Sequence, residues 1–255
     1  MRVISLQSGS NGNSIYVETG DARLLFDAGI SGRAAEERLA QHGCDIRQVD
    51  GLLISHDHVD HSRSLGIYHR KFRLPIYATA KTFQAARSHS IGRIDKAHHF
   101  AIGEPLWFGR TKVESYKTPH DAAEGAAFVI DDGRHRLGIL TDLGHVFRRL
   151  KDIVASLDAV LLESNYDPEM LAGGPYPWYT KERIEGDGGH LSNLQAADLL
   201  AQCADRRLQW ACLGHLSGDN NTPELAVATC RAAVHDRFPV YLATRDAVSE
   251  MLDVA

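Results

Sequence analysis

HDHVDH, residues 56 to 61, follows directly on the apolar run GLLIS, residues 51 to 55. A pattern of His, any, His, any, Asp, His arises by chance in roughly 0.003 of chains of this composition, so it calls for a chemical reading. Side chains two apart in an extended stretch project to the same side, so His56 and His58 can grip one ion. Asp60 and His61 follow as the chain turns, and can grip a second ion close by. Imidazole with carboxylate suits zinc, manganese or iron better than calcium or magnesium. The plainer alternative is a solvated polar loop.

These side chains do not complete two metal sites, so further ligands are expected at the ends of later strands. His120 follows KVESYKTP, Asp142 follows RLGILT and His215 follows LQWACLG. Asp142 can bridge both ions through its two oxygens, leaving positions open for a shared hydroxide, which is a two-metal hydrolase design.

The rest of the chain accommodates that design. It has 255 residues, long enough for a substantial core in one domain, residues 1–255, and no linker or repeat divides it. A formal charge of -5 argues against gripping nucleic acid by bulk electrostatics while leaving a local basic strip possible. The 14 histidines fit a metal protein, although scattered surface histidines are the plainer source. Cys44, Cys203, Cys212 and Cys230 have no C-x-x-C spacing and read as buried, reduced thiols. MRVISLQSGSNGNS at the start lacks a signal-peptide apolar stretch, and no run reaches membrane-spanning length, so a cytoplasmic protein off the membrane is expected.

RVISL, SIYVE and ARLLFD read as an opening antiparallel meander, with Asn11-Gly12 as a hairpin-type signal. SGRAAEERLAQHG reads as a helix capped by Ser31 and stopped by Gly43. Strands are expected at KVESYK, AAFVI, RLGILT, AVLLES and LQWACLG, and helices at HVFRRLKDIVAS, SNLQAADLLAQCA and PELAVATCRAAV. Strands in both halves with helices outside predict two mixed sheets, face to face, between helix layers: an α/β chain in four layers.

HDHVDH, with LLFDAG upstream and His120, Asp142 and His215 downstream, resembles the metallo-β-lactamase fold over essentially the whole chain. The resemblance implies an αβ/βα sandwich and makes Asp27 the supporting aspartate behind the metal loop. SGSNGNSIYVETGDARLLFDAGISG, TDLGHV, ESNYDPEM, GPYPWY, GHLSN and GHLSGDNNTPEL are further similar to the bacterial YycJ family. That likeness implies 5′-to-3′ DNA exonuclease activity. One departure is Tyr166, which stands after ESN where the family pattern has His.

Gly-His-Leu-Ser occurs twice, at 189–192 and 214–217. His215 ends an apolar strand, where this fold delivers its last ligand. His190 precedes a helix that Ser192 or Asn193 can cap, and the two sites already have their ligands. The arrangement is similar to ribonuclease Z, which implies that His190, oriented by Glu163, protonates the leaving oxygen; the alternative is a residue bonded to backbone where the helix begins.

Substrate contacts are expected from Ser8, Asn11 and Asn13 in SGSNGNS, an anion-docking loop or a plain tight turn, and from Asn220. GPYPWYTKERIEG interleaves aromatic residues with Lys181 and Arg183, so Trp178 and Lys181 can serve an unpaired strand, unless the segment is core. The function expected is therefore a phosphodiesterase with two divalent transition-metal ions, zinc or manganese first and iron next. It digests DNA 5′ to 3′ through a metal-bridging hydroxide, with Asp60, His190 and Glu163 as catalytic side chains. The alternatives are a hydrolase of the same fold acting on a cyclic phosphate, lactone or thioester, and a non-catalytic partner in a signalling or repair complex.

Overall fold

The computed structural model describes residues 1–89 and 91–255. Among them, the first half builds β1 (Arg2–Gln7), β2 (Ser14–Glu18), β3 (Arg23–Phe26), β4 (Gly51–Leu53), β5 (Ile76–Ala78) and β6 (Ala97–His99). The second builds β7 (Leu106–Phe108), β8 (Thr111–Lys117), β9 (Ala126–Asp131), β10 (Arg136–Leu140), β11 (Ala159–Glu163), β12 (Trp210–Gly214) and β13 (Val240–Leu242). A last strand, β14 (Leu252–Asp253), returns to β1, giving two seven-stranded sheets in the orders β14-β1-β2-β3-β4-β5-β6 and β13-β12-β11-β10-β9-β8-β7.

Each sheet is mixed. β1, β2 and β3 pair antiparallel, while β3 through β6 run parallel. β7 through β10 pair antiparallel, while β10 through β13 run parallel. Parallel strands must be buried on both faces, and the unbroken apolar run of β11, Ala159 to Leu162, is the composition this demands. β8 shows the other pattern, alternating buried and half-buried residues with period two.

The sheets pack face to face through a core that includes Val17, Phe26, Phe128, Ile130 and Leu161, with the Phe26 and Phe128 rings 5.2 Å apart. Helices flank the sheets. They are α1 (Gly32–Gln41), α2 (Val59–Ser62), α3 (Leu65–Phe72), α4 (Ala80–Ala86), α5 (Arg148–Ala155), α6 (Pro168–Gly173), α7 (Trp178–Glu185), α8 (Asn193–Cys203) and α9 (Pro223–Val234). Leu39, Tyr68 and Phe72 of α1 and α3 close one outer core, and Leu150, Leu199, Leu200 and Ala226 of α5, α8 and α9 close the other. Four layers result, as expected.

Ser31 caps α1 through a hydrogen bond from Ala34 N–H, and Gly43 ends the segment at a left-handed φ of 70°. α8 begins with a capping box between Ser192 and Gln195. β1 and β2 do pair, but through the longer loop 8–13 rather than a two-residue turn at Asn11-Gly12. Cys212 and Cys230 are buried free thiols, whereas Cys44 and Cys203 are only half-buried, which corrects the expectation for those two. No helix among the described residues is long and apolar enough to cross a membrane.

Candidate metal centre

The C-terminal ends of the parallel strands meet at one edge of the sandwich, the place where open α/β sheets present ligands. Asp27 follows β3, His56 lies just beyond β4, Asp142 beyond β10, and His215 directly after β12, while Glu163 is the last residue of β11. The chain reverses sharply there. Asp27, Asp142 and His215 adopt left-handed φ values of 64°, 59° and 56°. A non-glycine residue in that region costs about 1–3 kcal/mol, so the surrounding bonds must over-determine each of them.

The seven ligand candidates come together. His56, His58 and His120 form one cluster, Asp60, His61 and His215 another, with ligand atoms in each within 4.8 Å of one another. Asp142 lies between them: its Oδ1 is 3.6 Å from His120 Nε2 and 3.6 Å from His215 Nε2, and its Oδ2 is 3.3 Å from His61 Nε2. Asp60 Oδ2 is 3.4 Å from His215 Nε2 and 3.5 Å from His61 Nε2.

Charge and burial agree with a cation site. His56 Nε2 and Asp142 Oδ2 are buried without a hydrogen bond, an arrangement that costs free energy unless an ion takes them up. Burial and the neighbouring histidines hold the His56 imidazole well below its ordinary pKa. Burial opposes charge at His61 too, but the carboxylates of Asp142, Asp27 and Asp60 overcome it and raise that imidazole to about 9. Burial likewise works against ionised Asp142, yet the charges of His215, His61 and His120 keep its carboxyl below the usual range. Burial opposes charge at His215 as well, but Asp142, Asp60 and Glu163 raise its imidazole well above the ordinary value. The donor set fits divalent metal ions.

Behind the candidate ligands stands a layer of braces. Asp27 Oδ2 accepts from His61 Nδ1 at 2.8 Å and from Ser55 Oγ at 2.9 Å, and Ser55 Oγ lies 3.0 Å from His56 Nδ1. This is the role the resemblance implied for Asp27. Asn165 donates from Nδ2 to the His215 carbonyl at 2.7 Å. A side chain at Gly29 would meet the Asp60 carbonyl, its Cβ only 1.6 Å from that oxygen, so glycine lets the loop after Asp27 lie against the metal loop.

Glu163, fully buried, touches both GHLS histidines: its Oε1 lies 2.7 Å from His190 Nδ1 and 3.0 Å from His215 Nδ1. Its Oε2 accepts from the backbone N–H of Leu143 at 2.9 Å and of Leu191 at 3.1 Å. Burial would favour the neutral acid, but His190 and His215 hold the carboxyl ionised far below its normal range. The His190 ring sits between those of His120 and His215, with centroids 5.0 and 5.3 Å away. Asp142, Glu163, His190 and His215 also cluster tightly enough for an ion, but Glu163 Oε1 is already taken by both imidazoles.

The expected substrate contacts divide. Ser8, Asn13 and Asn220 are at most 2 % exposed and cannot meet a substrate, which corrects those three. Ser8 Oγ accepts from the His215 N–H at 2.8 Å, and the Asn13 amide bonds Gly9 N–H at 2.8 Å and reaches the metal loop; both brace the centre. Asn11 is spent latching its loop to the Arg245 carbonyl at 3.1 Å. Lys181 Nζ donates to the Ala172 carbonyl at 2.6 Å. Trp178 is 73 % exposed and Tyr179 61 %, so the aromatic segment is not core. Tyr166, in the place of the expected His, is buried, and burial pushes its phenol up to about 12. The sequence reading missed Ser55, Asp121 and Asn165; for Asp121, adjacency to His120 in TPHD was the available signal.

Fold and centre together define a metal-dependent hydrolase architecture, and the comparisons agree. The family profile described as Beta-lactamase superfamily domain matches residues 22–210, and the chain belongs to this superfamily, with the metallo-β-lactamase fold. It is 42 % identical over 223 residues to the exodeoxyribonuclease YycJ of Bacillus anthracis, covering 87 % of this chain and 84 % of that one. It is 36 % identical to the exodeoxyribonuclease WalJ of Streptococcus pneumoniae serotype 2, covering 98 % and 96 %. Among solved structures, the metallo-beta-lactamase fold protein YhfI of Bacillus subtilis superposes with a TM-score of 0.74 at 18 % identity, covering 98 % of this chain and 99 % of that one.

Proposed function

We propose that this chain, with residues 1–255 as one catalytic domain, is a metal-dependent exodeoxyribonuclease that works 5′ to 3′ with two divalent cations, zinc or manganese. The observation that carries the reading is the Glu163–His190 pair, 2.7 Å apart, beside the His56–His58–His120 and Asp60–His61–His215 clusters with Asp142 between them. The names of the two relatives supply the polymer. When bound, the cations provide a nucleophile from water at neutral pH and neutralise charge on the phosphate.

His56, His58 and His120 would hold one cation and Asp60, His61 and His215 the other, with Asp142 within reach of both. Asp27 fixes the His61 tautomer, with the proton on Nδ1, so that Nε2 keeps its lone pair for the metal. Glu163 does the same for His215. Its bond to His190 Nδ1 leaves His190 Nε2 to deliver a proton to the leaving alkoxide, a step worth about 10²- to 10⁴-fold because an alkoxide is a poor leaving group. Trp178 and Tyr179, exposed on α7, offer rings on which unpaired bases stack at roughly 1–3 kcal/mol each.

Metal-reconstituted protein given 5′-labelled and 3′-labelled oligonucleotides tests the polarity. Mononucleotides released first from the 5′ end are expected; release first from the 3′ end, or no cleavage, refutes it. Trp178→Ala is expected to weaken oligonucleotide binding roughly 5- to 100-fold while leaving hydrolysis of a small aryl phosphodiester intact. Equal losses on both substrates assign Trp178 to packing.

A further inference from the structure

The two metal positions are braced from different sides of the molecule. The second leans on Asp27, Ser8 and Glu163, all buried. The first leans on the arm that carries α7. His120 Nδ1 donates to the Gly189 carbonyl at 2.9 Å, and the Asp121 N–H donates to the Gly188 carbonyl at 3.0 Å. His58 turns Nδ1 toward His120 Nε2, 3.2 Å away, so Nδ1 is the nitrogen that faces the cation position. Its Nε2 then carries the proton and faces Asp121, with the carbonyl at 3.3 Å and Oδ1 at 3.7 Å. The other Asp121 oxygen is paired with Arg183 Nε on α7, five residues beyond Trp178. Arg183 is 63 % exposed in its side chain, and among the described residues only Nε of its guanidinium has a hydrogen-bond partner.

We propose that Asp121 and Arg183 form a positioning relay, in which Arg183 takes a backbone phosphate of the DNA strand and thereby couples strand binding to cation binding at His56, His58 and His120. The relay rests on the nuclease reading above. The sign of the coupling follows from the geometry. A cation at the first position needs His58 held with Nε2–H on Asp121, and Asp121 is held there by Arg183. A phosphate on the open donors of Arg183, whose fork is suited to phosphate oxygens, orders the same arrangement. Two ligands that favour one arrangement strengthen each other, and by linkage equally.

The experiment is chelator competition for zinc on the full chain, with and without a single-stranded DNA oligonucleotide, in a His190→Ala background so that the strand is not consumed. The first-position equivalent is the one missing in His58→Ala. Asp121→Ala is expected to weaken that equivalent about 10- to 100-fold, and Asp121→Asn, which keeps an acceptor, by less. DNA is expected to tighten it at least about 5-fold when Arg183 is present. Arg183→Ala abolishes the tightening and leaves the second equivalent unchanged, while Arg183→Lys recovers only part. Unchanged zinc affinity in Asp121→Ala, or the same DNA-induced tightening with and without Arg183, overturns the relay alone. If the parent protein binds neither two zinc ions nor the oligonucleotide, the nuclease reading falls and the relay with it.

Discussion

The segments 189–192 and 214–217 share the sequence GHLS and one carboxylate, Glu163, yet their histidines stand in unlike surroundings. His215 is 2 % exposed in its side chain, in a left-handed backbone conformation, with its N–H held by Ser8 and its carbonyl by Asn165. His190 is 21 % exposed in its side chain and its N–H is bonded to the Ile184 carbonyl of the neighbouring arm. The first is held on three sides and closed to solvent, as the proposed metal role requires; the second keeps an edge open to solvent, as the proposed proton donor requires. A shared tetrapeptide therefore says nothing about a shared role, because position relative to the strand end decides which atoms each ring meets.

His215→Ala is the substitution expected to do most. It should cost the second cation and lower DNA hydrolysis by more than the roughly 10²- to 10⁴-fold that a proton donor contributes. Metal analysis on the same preparation checks this, and full metal content would erase the distinction between the two histidines. His190→Ala should keep both cations and lose about 10²- to 10⁴-fold on DNA, but far less on a nitrophenyl phosphodiester, whose leaving group departs as a stable anion. Equal losses on the two substrates would remove the proton-donor role.

Glu163→Gln sharpens the comparison, since its carboxylate faces both rings. A brace behind a metal ligand is worth about 10- to 100-fold in metal affinity, so this variant should show weakened zinc in chelator competition together with a loss on DNA. A defect in only one of the two would mean that Glu163 serves only one histidine. The smallest effect is expected from Ser8→Ala, which strands the buried His215 N–H and should lower stability by about 1–3 kcal/mol in urea unfolding of the metal-free chain. It should leave the ratio of DNA to nitrophenyl hydrolysis unchanged; a change in that ratio would place Ser8 at the substrate after all.

Several long elements were legible because their signals are local, although α3 and α7, eight residues each, were not foreseen. α9 spans the expected PELAVATCRAAV, and Ser31 and Ser192 cap the helices predicted to follow them. β5, β6, β7 and β13 were not foreseen, because three residues each are too few to display a period. In the centre, the polar loop SGSNGNS read as a substrate contact because hydroxyls and amides look alike whether they face water or a neighbouring strand. Only burial separates the two cases.

From the sequence alone came the two sheets, the HDHVDH loop and the strand-end placement of His120, Asp142 and His215, since spacing and strand termini are properties of neighbouring residues. The likeness to ribonuclease Z had already paired Glu163 with His190, 27 residues on; tertiary structure alone decided that the same carboxylate also holds His215, 52 residues on. It also decided that Ser8 supports His215, 207 residues away, and that Asp121 links His58 to α7. These bonds join side chains that only the closing of the sandwich brings within reach, and no local pattern encodes a partner chosen by packing.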